Sequence, residues 1–145
     1  MVGSLATRME NDPFWQIRRL MREVLVSINE ELTTFAASFG LTQAQAIALC
    51  ELDPAITMRD LSDLLCTRPT NITTLIDKLE NLGLVERRGD PGDRRITRLY
   101  LTEAGKTMRE TLLTNLPSPS ILTALTNEQR DELLTLLRVA VSVQD

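Results

Sequence analysis

The sixteen residues 86–101 read ERRGDPGDRRITRLYL and hold five of the chain's fourteen arginines. Arg87 and Arg88 precede a Gly-Asp-Pro-Gly turn, Asp93, Arg94 and Arg95 follow it, and Arg98 interrupts an apolar run. A guanidinium is a permanent cation with forked donors that match phosphate oxygens and base edges, so several of them around one turn suit a polyanion. Glu86, Asp90 and Asp93 are too few to neutralise all five. A thin hairpin with surplus guanidinium groups fits the narrow, strongly negative minor groove of duplex DNA. The competing reading is a charged turn that is merely solvated.

A second set of polar residues lies just upstream. Ile72, Leu75, Ile76, Leu79 and Leu82 recur at helical steps between Pro69 and Gly83, which leaves Arg68, Thr70, Asn71, Thr73, Thr74 and Lys78 on the opposite side. An α-helix about 10 to 12 Å across fits a major groove about 12 Å wide. There asparagine can pair with adenine, threonine can touch a thymine methyl or a phosphate, and an arginine at the helix entrance can reach guanine or backbone. Alone, such a face reads more readily as solvated; the arginine-rich hairpin that follows favours DNA.

The charge of the chain is divided to match. The net charge is −4, yet residues 66–109 carry nine Lys and Arg against six Asp and Glu, and the remainder carries seven against fourteen. The middle is basic and the flanks are acidic. Histidine is absent, which removes the residue most used for acid–base catalysis, nucleophile activation and transition-metal ligation. No cluster of Asp, Glu, Cys or Lys replaces it, so neither a catalytic site, a metal site nor a cofactor is predicted. Cys50 and Cys66 are too few for a disulfide framework and match no zinc spacing; each reads as a small buried apolar residue.

The 145 residues suffice for one domain with a real core. No apolar run approaches the length of a membrane span, and the N-terminus, MVGSLATRMENDP, lacks the pattern of a secretory signal, so a cytoplasmic protein without membrane attachment is expected. Asn11, Asp12 and Pro13 open a long amphipathic helix in which Phe14, Ile17, Leu20, Met21, Val24, Leu25, Ile28, Leu32, Phe35 and Phe39 recur until Gly40. Its apolar stripe, with Trp15 beside it, is longer than a small core needs and points to a partner. Thr42-Gln-Ala-Gln45 has the capping-box form and Thr57 can cap MRDLSDLL, with Leu61, Leu64 and Leu65 on one side. Two strands, Leu84-Val85 and residues 96–101, flank the arginine turn. Thr102 can cap a helix that Pro117-Ser-Pro119 breaks, and a second capping box, Thr126-Asn-Glu-Gln129, opens the last helix, with Leu133, Leu134, Leu136, Leu137, Ala140 and Val141. Helix, helix, helix and hairpin over residues 42–102 is the order of a winged helix-turn-helix. The predicted fold is therefore mainly α, with β structure confined to the wing.

The segments LTQAQAIAL, MRDLSDLL and PTNITTLIDKLENLGLVERRGDPGDRRITRLYLTEAG, together with the flanking helical regions, resemble the MarR family of bacterial transcription regulators over nearly the whole chain. The match is densest in residues 72–105: the Leu-x-x-x-Gly-Leu-Val-x-Arg passage of residues 79–87, the Asp-x-Arg of Asp93 and Arg95, and the Leu-Thr-x-x-Gly that follows. The resemblance implies a homodimer in which the first and last helices interlock and two winged lobes occupy successive major grooves of a near-palindromic operator. It divides the chain into an N-terminal dimerisation helix (1–40), a DNA-binding lobe (41–102) and C-terminal helices that complete the dimerisation region (103–145).

Carried over by position, Arg95 enters the minor groove, Asp93 orients the wing and Arg94 is a neighbouring contact. Thr70, Asn71, Thr73 and Thr74 fall on the base-reading side, with Arg68, Lys78, Arg87 and Arg88 as further DNA contacts. Thr74 stands where many relatives carry a basic residue, which shifts more of the attraction to Arg68, Lys78 and the wing. The resemblance further implies repression relieved by a small aromatic or anionic effector, with Phe14, Trp15, Ile17, Leu20, Leu133 and Leu137 as dimer core or ligand wall. No cysteine precedes Cys50, which argues against peroxide sensing by an N-terminal thiol. The alternative function is a winged-helix module that binds protein through its long helices and does not bind DNA.

Overall fold

The fold is that of a computed structural model, which describes residues 11–142. Residues 1–10 and 143–145, and with them most of the N-terminal stretch read for a targeting signal, lie outside the described residues. Along the chain run α1 (Pro13–Ala37), α2 (Gln43–Glu51), β1 (Ile56–Thr57), α3 (Met58–Leu64), α4 (Pro69–Asn81), β2 (Val85–Gly89), β3 (Thr97–Leu101), α5 (Glu103–Asn115), α6 (Ser120–Thr123) and α7 (Asn127–Ser142). Thr33–Leu116 forms one compact unit, and residues 11–32 with 117–142 form another.

Threonine caps set the helix starts in the first unit. The Thr42 hydroxyl accepts from Gln45 N at 3.3 Å while Gln45 Oε1 accepts from Thr42 N at 2.8 Å. Thr57 and Asp60 repeat the exchange, and the Thr102 hydroxyl accepts from Gly105 N at 3.0 Å. Each cap satisfies amides that the helix itself leaves unpaired, worth about 1 kcal/mol apiece. Glycine sets the stops. Gly40 and Gly83 both adopt φ +71°, which lets Leu41 N reach back to Ala36 O (3.1 Å) and Leu84 N to Leu79 O (3.0 Å).

The turn between α3 and α4 is held from below. The buried Ser62 donates through Oγ to Thr67 O at 2.7 Å, and Thr67 N donates to Ser62 O at 3.1 Å. Cys66 occupies the left-handed position of that turn, φ +47°, and is exposed; Cys50 is half-buried on α2, where burial pushes its thiol pKa up. The expectation of two buried cysteines is thus corrected, because the turn projects its left-handed residue away from the core. Leu64 and Leu82, expected on core faces, are also exposed. The core consists of Leu49, Leu52, Leu61, Ile72, Ile76, Leu79, Leu99 and Leu112, with Ala36, Leu84, Val85 and smaller residues around them.

The sheet has one strand more than the periodicity foretold. β1 pairs antiparallel with β3 (Ile56↔Leu99, Thr57↔Arg98), so β3 is central in the order β1-β3-β2. Two residues are too short to display a period of two. The β2–β3 register, Val85↔Leu101 through Gly89↔Thr97, turns Val85, Arg87, Leu99 and Leu101 to one face and Glu86, Arg88, Arg98 and Tyr100 to the other. On the first face, Arg87 clamps β2 to α4: NH1 pairs with Glu80, NH2 lies 2.8 Å from Asp77 Oδ1, and its backbone N donates to Glu80 Oε1 at 3.0 Å.

In the second unit, Glu31 accepts from Ser120 N at 3.0 Å and from the Ser120 hydroxyl, which fixes the start of α6, a turn of helix not foreseen from sequence. Those bonds hold the Glu31 carboxyl below its usual range. The Thr126–Gln129 capping box forms as expected. No residue of α7 is buried, and of α1 only Ala36, which belongs to the other unit, is buried.

Two stability predictions follow from these contacts. A Cβ on Gly105 would sit 1.9 Å from Leu84 O. Helix propensity alone would make Gly105→Ala stabilising by about 1 kcal/mol, but backbone overpacking reverses the sign and the variant should lose about 1 to 3 kcal/mol in urea unfolding. Glu80→Ala strands the half-buried Arg87 and should cost about 1 to 2 kcal/mol, whereas Asp77→Ala, at a more exposed acid, should cost less than about 1 kcal/mol in the same assay.

Candidate nucleic-acid interface

Helix α4 buries Ile72, Ile76 and Leu79 and leaves Thr70, Asn71, Thr73, Thr74, Asp77 and Lys78 exposed. All the base-reading residues expected from sequence therefore share the solvent side of one helix. The Thr73 and Thr74 hydroxyls donate to Pro69 O (3.2 Å) and Thr70 O (3.3 Å), which leaves their oxygen lone pairs as acceptors. The helix begins at Arg68 with Pro69 in its first turn, no side-chain cap and no acid in that turn. The positive end of the helix dipole thus begins at an exposed arginine residue, a combination suited to a phosphate.

The wing tip, residues 90–96, is closed by Asp90 N to Ile96 O at 2.8 Å and Ile96 N to Asp93 O at 2.9 Å. Asp90 Oδ1 accepts from Gly92 N (2.7 Å) and Asp93 N (3.2 Å), and Asp93 Oδ1 accepts from Arg95 N at 2.9 Å. Asp93 therefore shapes the turn that carries Arg95.

The five wing arginines divide by partner. Arg87 is held by Glu80 and Asp77. Arg88 pairs with Glu86 and stacks 5.1 Å from the centroid of Tyr100, on the sheet face turned away from α4. Arg98 pairs with Asp90, holds that carboxyl below its usual range and has its own pKa raised in turn. Among the described residues, Arg94 and Arg95 are exposed at the tip without an ion pair, and so are Arg68 and Lys78 on and beside α4. Arg87 and Arg88, read from sequence as DNA contacts, have their guanidinium groups engaged within the protein. Sequence reasoning left out Glu80, Asp77, Asp90 and Arg98 as residues that shape the site.

The sheet face carrying Arg88 and Tyr100 borders a cavity of about 670 Å³ with Leu52 and Leu101 in its wall. Its bases are matched: Arg88 with Glu86, Lys106 with Glu103 at 2.7 Å, and Arg109 with Asp53 at 3.4 Å. Phe14, Trp15, Ile17, Leu20 and Leu137 lie exposed, Phe14 by 82%, and Leu133 is half-buried. Among the described residues no helix is long and apolar enough to cross a membrane.

The chain matches the MarR family over residues 40–97. It is 30% identical to the transcriptional repressor MprA of Escherichia coli (strain K12), an alignment that covers all of this chain and 87% of that protein. It is 27% identical to the HTH-type transcriptional regulator YsmB of Bacillus subtilis (strain 168) over 68% of each. A cysteine-to-serine variant of Escherichia coli MarR, solved in complex with operator DNA, is similar in fold with a TM-score of 0.77 at 25% identity, covering 90% of this chain and 99% of that one. With its three-stranded wing, its helix-turn-helix and these relatives, none of them an enzyme, the chain belongs to the MarR family of transcription regulators.

Proposed function

We propose that the chain is a homodimeric repressor that binds a near-palindromic duplex operator, with α4 in the major groove and the wing tip in the minor groove. The observation that carries this reading is the division of cations. Arg68, Lys78, Arg94 and Arg95 stand free while Arg87, Arg88 and Arg98 are neutralised by acids of the protein. A free exposed cation reaches a phosphate without first breaking an internal pair. Thr70, Asn71, Thr73 and Thr74 then face base edges, Arg94 and Arg95 enter or flank the minor groove, and Asp93 orients them. Arg87 and Arg88 support the wing from its two faces. The operator complex of the Escherichia coli MarR variant supports the same use of this fold, and such a repressor acts in the cytoplasm, where its operator is. A module that binds protein alone would leave these four cations beside α4 and at the wing tip without a use.

The dimer half of the proposal rests on apolar surface. Phe14, Ile17, Leu20, Met21 and Leu25 on α1 and Leu134, Leu136, Leu137, Val139 and Val141 on α7 are each at least 40% exposed. Exposed apolar residues in such number call for a partner, and a second copy supplies an identical surface across a two-fold axis. In this reading residues 1–40 and 103–145 dimerise and residues 41–102 read DNA. The operator reading stands on the free cations and requires no effector; a small aromatic or anionic effector that releases the DNA remains a separate part of the proposal.

Arg95→Ala should weaken operator binding by about 1 to 3 kcal/mol without unfolding the protein, and the wild-type affinity should fall steeply with salt. Fluorescence anisotropy over a salt series reads both, and no binding to mixed genomic fragments even at low salt would favour the protein-binding module. Ile17→Glu should shift sedimentation toward monomer and reduce operator affinity by about 100-fold, because a carboxylate cannot be buried unpaired in an apolar interface. A dimer that persists unchanged would remove α1 from the interface.

A further inference from the structure

We propose that Arg98, which projects from the central strand and not from the wing tip, is the residue that positions the tip for DNA; this rests on the operator reading above. Arg98 belongs to β3, directly opposite Arg88 on the same face of the sheet. Two like charges facing each other across a strand pair are unfavourable unless each is neutralised, and here each has its own acid, Glu86 for Arg88 and Asp90 for Arg98. Arg98 also extends the other way, donating from NH1 to Ala55 O at 3.3 Å, in the connection that precedes β1. One guanidinium thereby ties the wing to backbone 43 residues away in sequence.

The tie continues outward through Asp90. One carboxylate oxygen is taken by Arg98 Nε, and the other orders the amides of Gly92 and Asp93 at 2.7 and 3.2 Å. Asp93 in turn accepts from Arg95 N at 2.9 Å. A continuous path of charge-assisted bonds therefore runs from Ala55 through Arg98, Asp90 and Asp93 to the residue proposed for the minor groove. Beyond Gly89↔Thr97 the strand ladder has ended, and the Asp90–Ile96 and Asp93–Ile96 bonds close the loop without fixing its tilt against the lobe. Asp90 is the less accessible partner, its side chain 15% exposed against 36% for Arg98, so the pair is less screened by water than an open surface bridge. A lysine cannot substitute, because a single ammonium does not span the Asp90 carboxylate and the Ala55 carbonyl as the fork does.

The β2–β3 ladder, the core and the Arg87 clamp do not depend on Arg98, so Arg98→Leu should fold. Its effect is read in a double-mutant cycle with Arg94→Ala/Arg95→Ala and by amide hydrogen exchange of the DNA-free protein. In the wild-type background Arg98→Leu, and likewise Arg98→Lys, should weaken operator binding by about tenfold; in the doubly substituted background the further loss should be less than about twofold, because the tip has nothing left to position. Exchange at Gly92 and Asp93 should accelerate about tenfold or more while core amides stay unchanged. Equal losses in the two backgrounds would make Arg98 a direct DNA contact, and unaltered exchange at Gly92 and Asp93 would remove the tether; either result overturns the proposal. Absence of DNA binding by the wild-type protein would instead defeat the operator reading, and the exchange measurement would still decide whether Arg98 orders the tip.

Discussion

The guanidinium of Arg87 lies between Glu80 and Asp77, and it is the directional link between β2 and α4. Beneath it, Val85, Leu99, Ile76 and Leu79 pack as core. Apolar burial supplies most of the free energy but little orientation, because it is non-directional. A forked pair of ion bonds adds a fixed distance and plane. That distinction matters in the proposed operator reading, where two elements meet duplex DNA at once and the major and minor grooves present themselves at one mutual geometry. A recognition helix and a wing free to move against each other would lose in ordering entropy what each gains in contacts. The remaining features of the lobe maintain the same geometry: the Gly83 stop brings the chain from α4 into β2, and Gly105 lets the first turn of α5 approach Leu84 closely enough to seat the base of the wing.

Acids in the basic lobe serve this end. Glu80, Asp77, Glu86 and Asp90 engage three of the five wing arginines, which leaves Arg94 and Arg95 as the wing guanidinium groups without an ion pair among the described residues. The long-range field sums both kinds, while short-range recognition depends on which guanidinium groups are unpaired. Outside residues 66–109 the chain carries seven bases against fourteen acids. In the proposed operator reading, repulsion of DNA from those residues favours approach through residues 66–109, which sharpens orientation without adding a contact.

Local features were legible in the sequence and long-range pairings were not. Thr42, Thr57, Thr102 and Thr126 were readable as caps because a cap and its partner lie three residues apart, and Gly40 and Gly83 as stops because only a left-handed residue ends a helix in that way. Helical periodicity placed Ile72, Ile76 and Leu79 in the core and the threonines of α4 outside it. The third strand escaped because Ile56 and Thr57 pair only with β3, more than forty residues later in the chain. Cys66 was misjudged because composition treats cysteine as a core residue, whereas its backbone angle puts it on a surface turn. Arginine roles were the least legible. Arg87 finds Glu80 seven residues away and Arg98 finds Asp90 eight residues away across a turn, and no helical or strand repeat encodes such pairs. The clue available in advance was a count: the acids nearby were too few for all the arginines, which indicated that some would stay free without saying which.

The two compact units differ in how they obtain their stability. Every residue of the hydrophobic core falls within Thr33–Leu116, so the lobe has the burial a small domain needs. The other unit has apolar helices and no buried residue among those described, which is why the proposed dimer assigns the cover of that surface to a second copy. If a second copy provides that cover, protomer concentration enters both the stability of α1 and α7 and the affinity for DNA, because paired lobes dissociate as one ligand whereas separate lobes dissociate singly. In that arrangement the spacing of two recognition helices is a property of the apolar surface of α1 and α7, and the proposed reading of sequence by α4 depends on leucines and isoleucines that never approach a base.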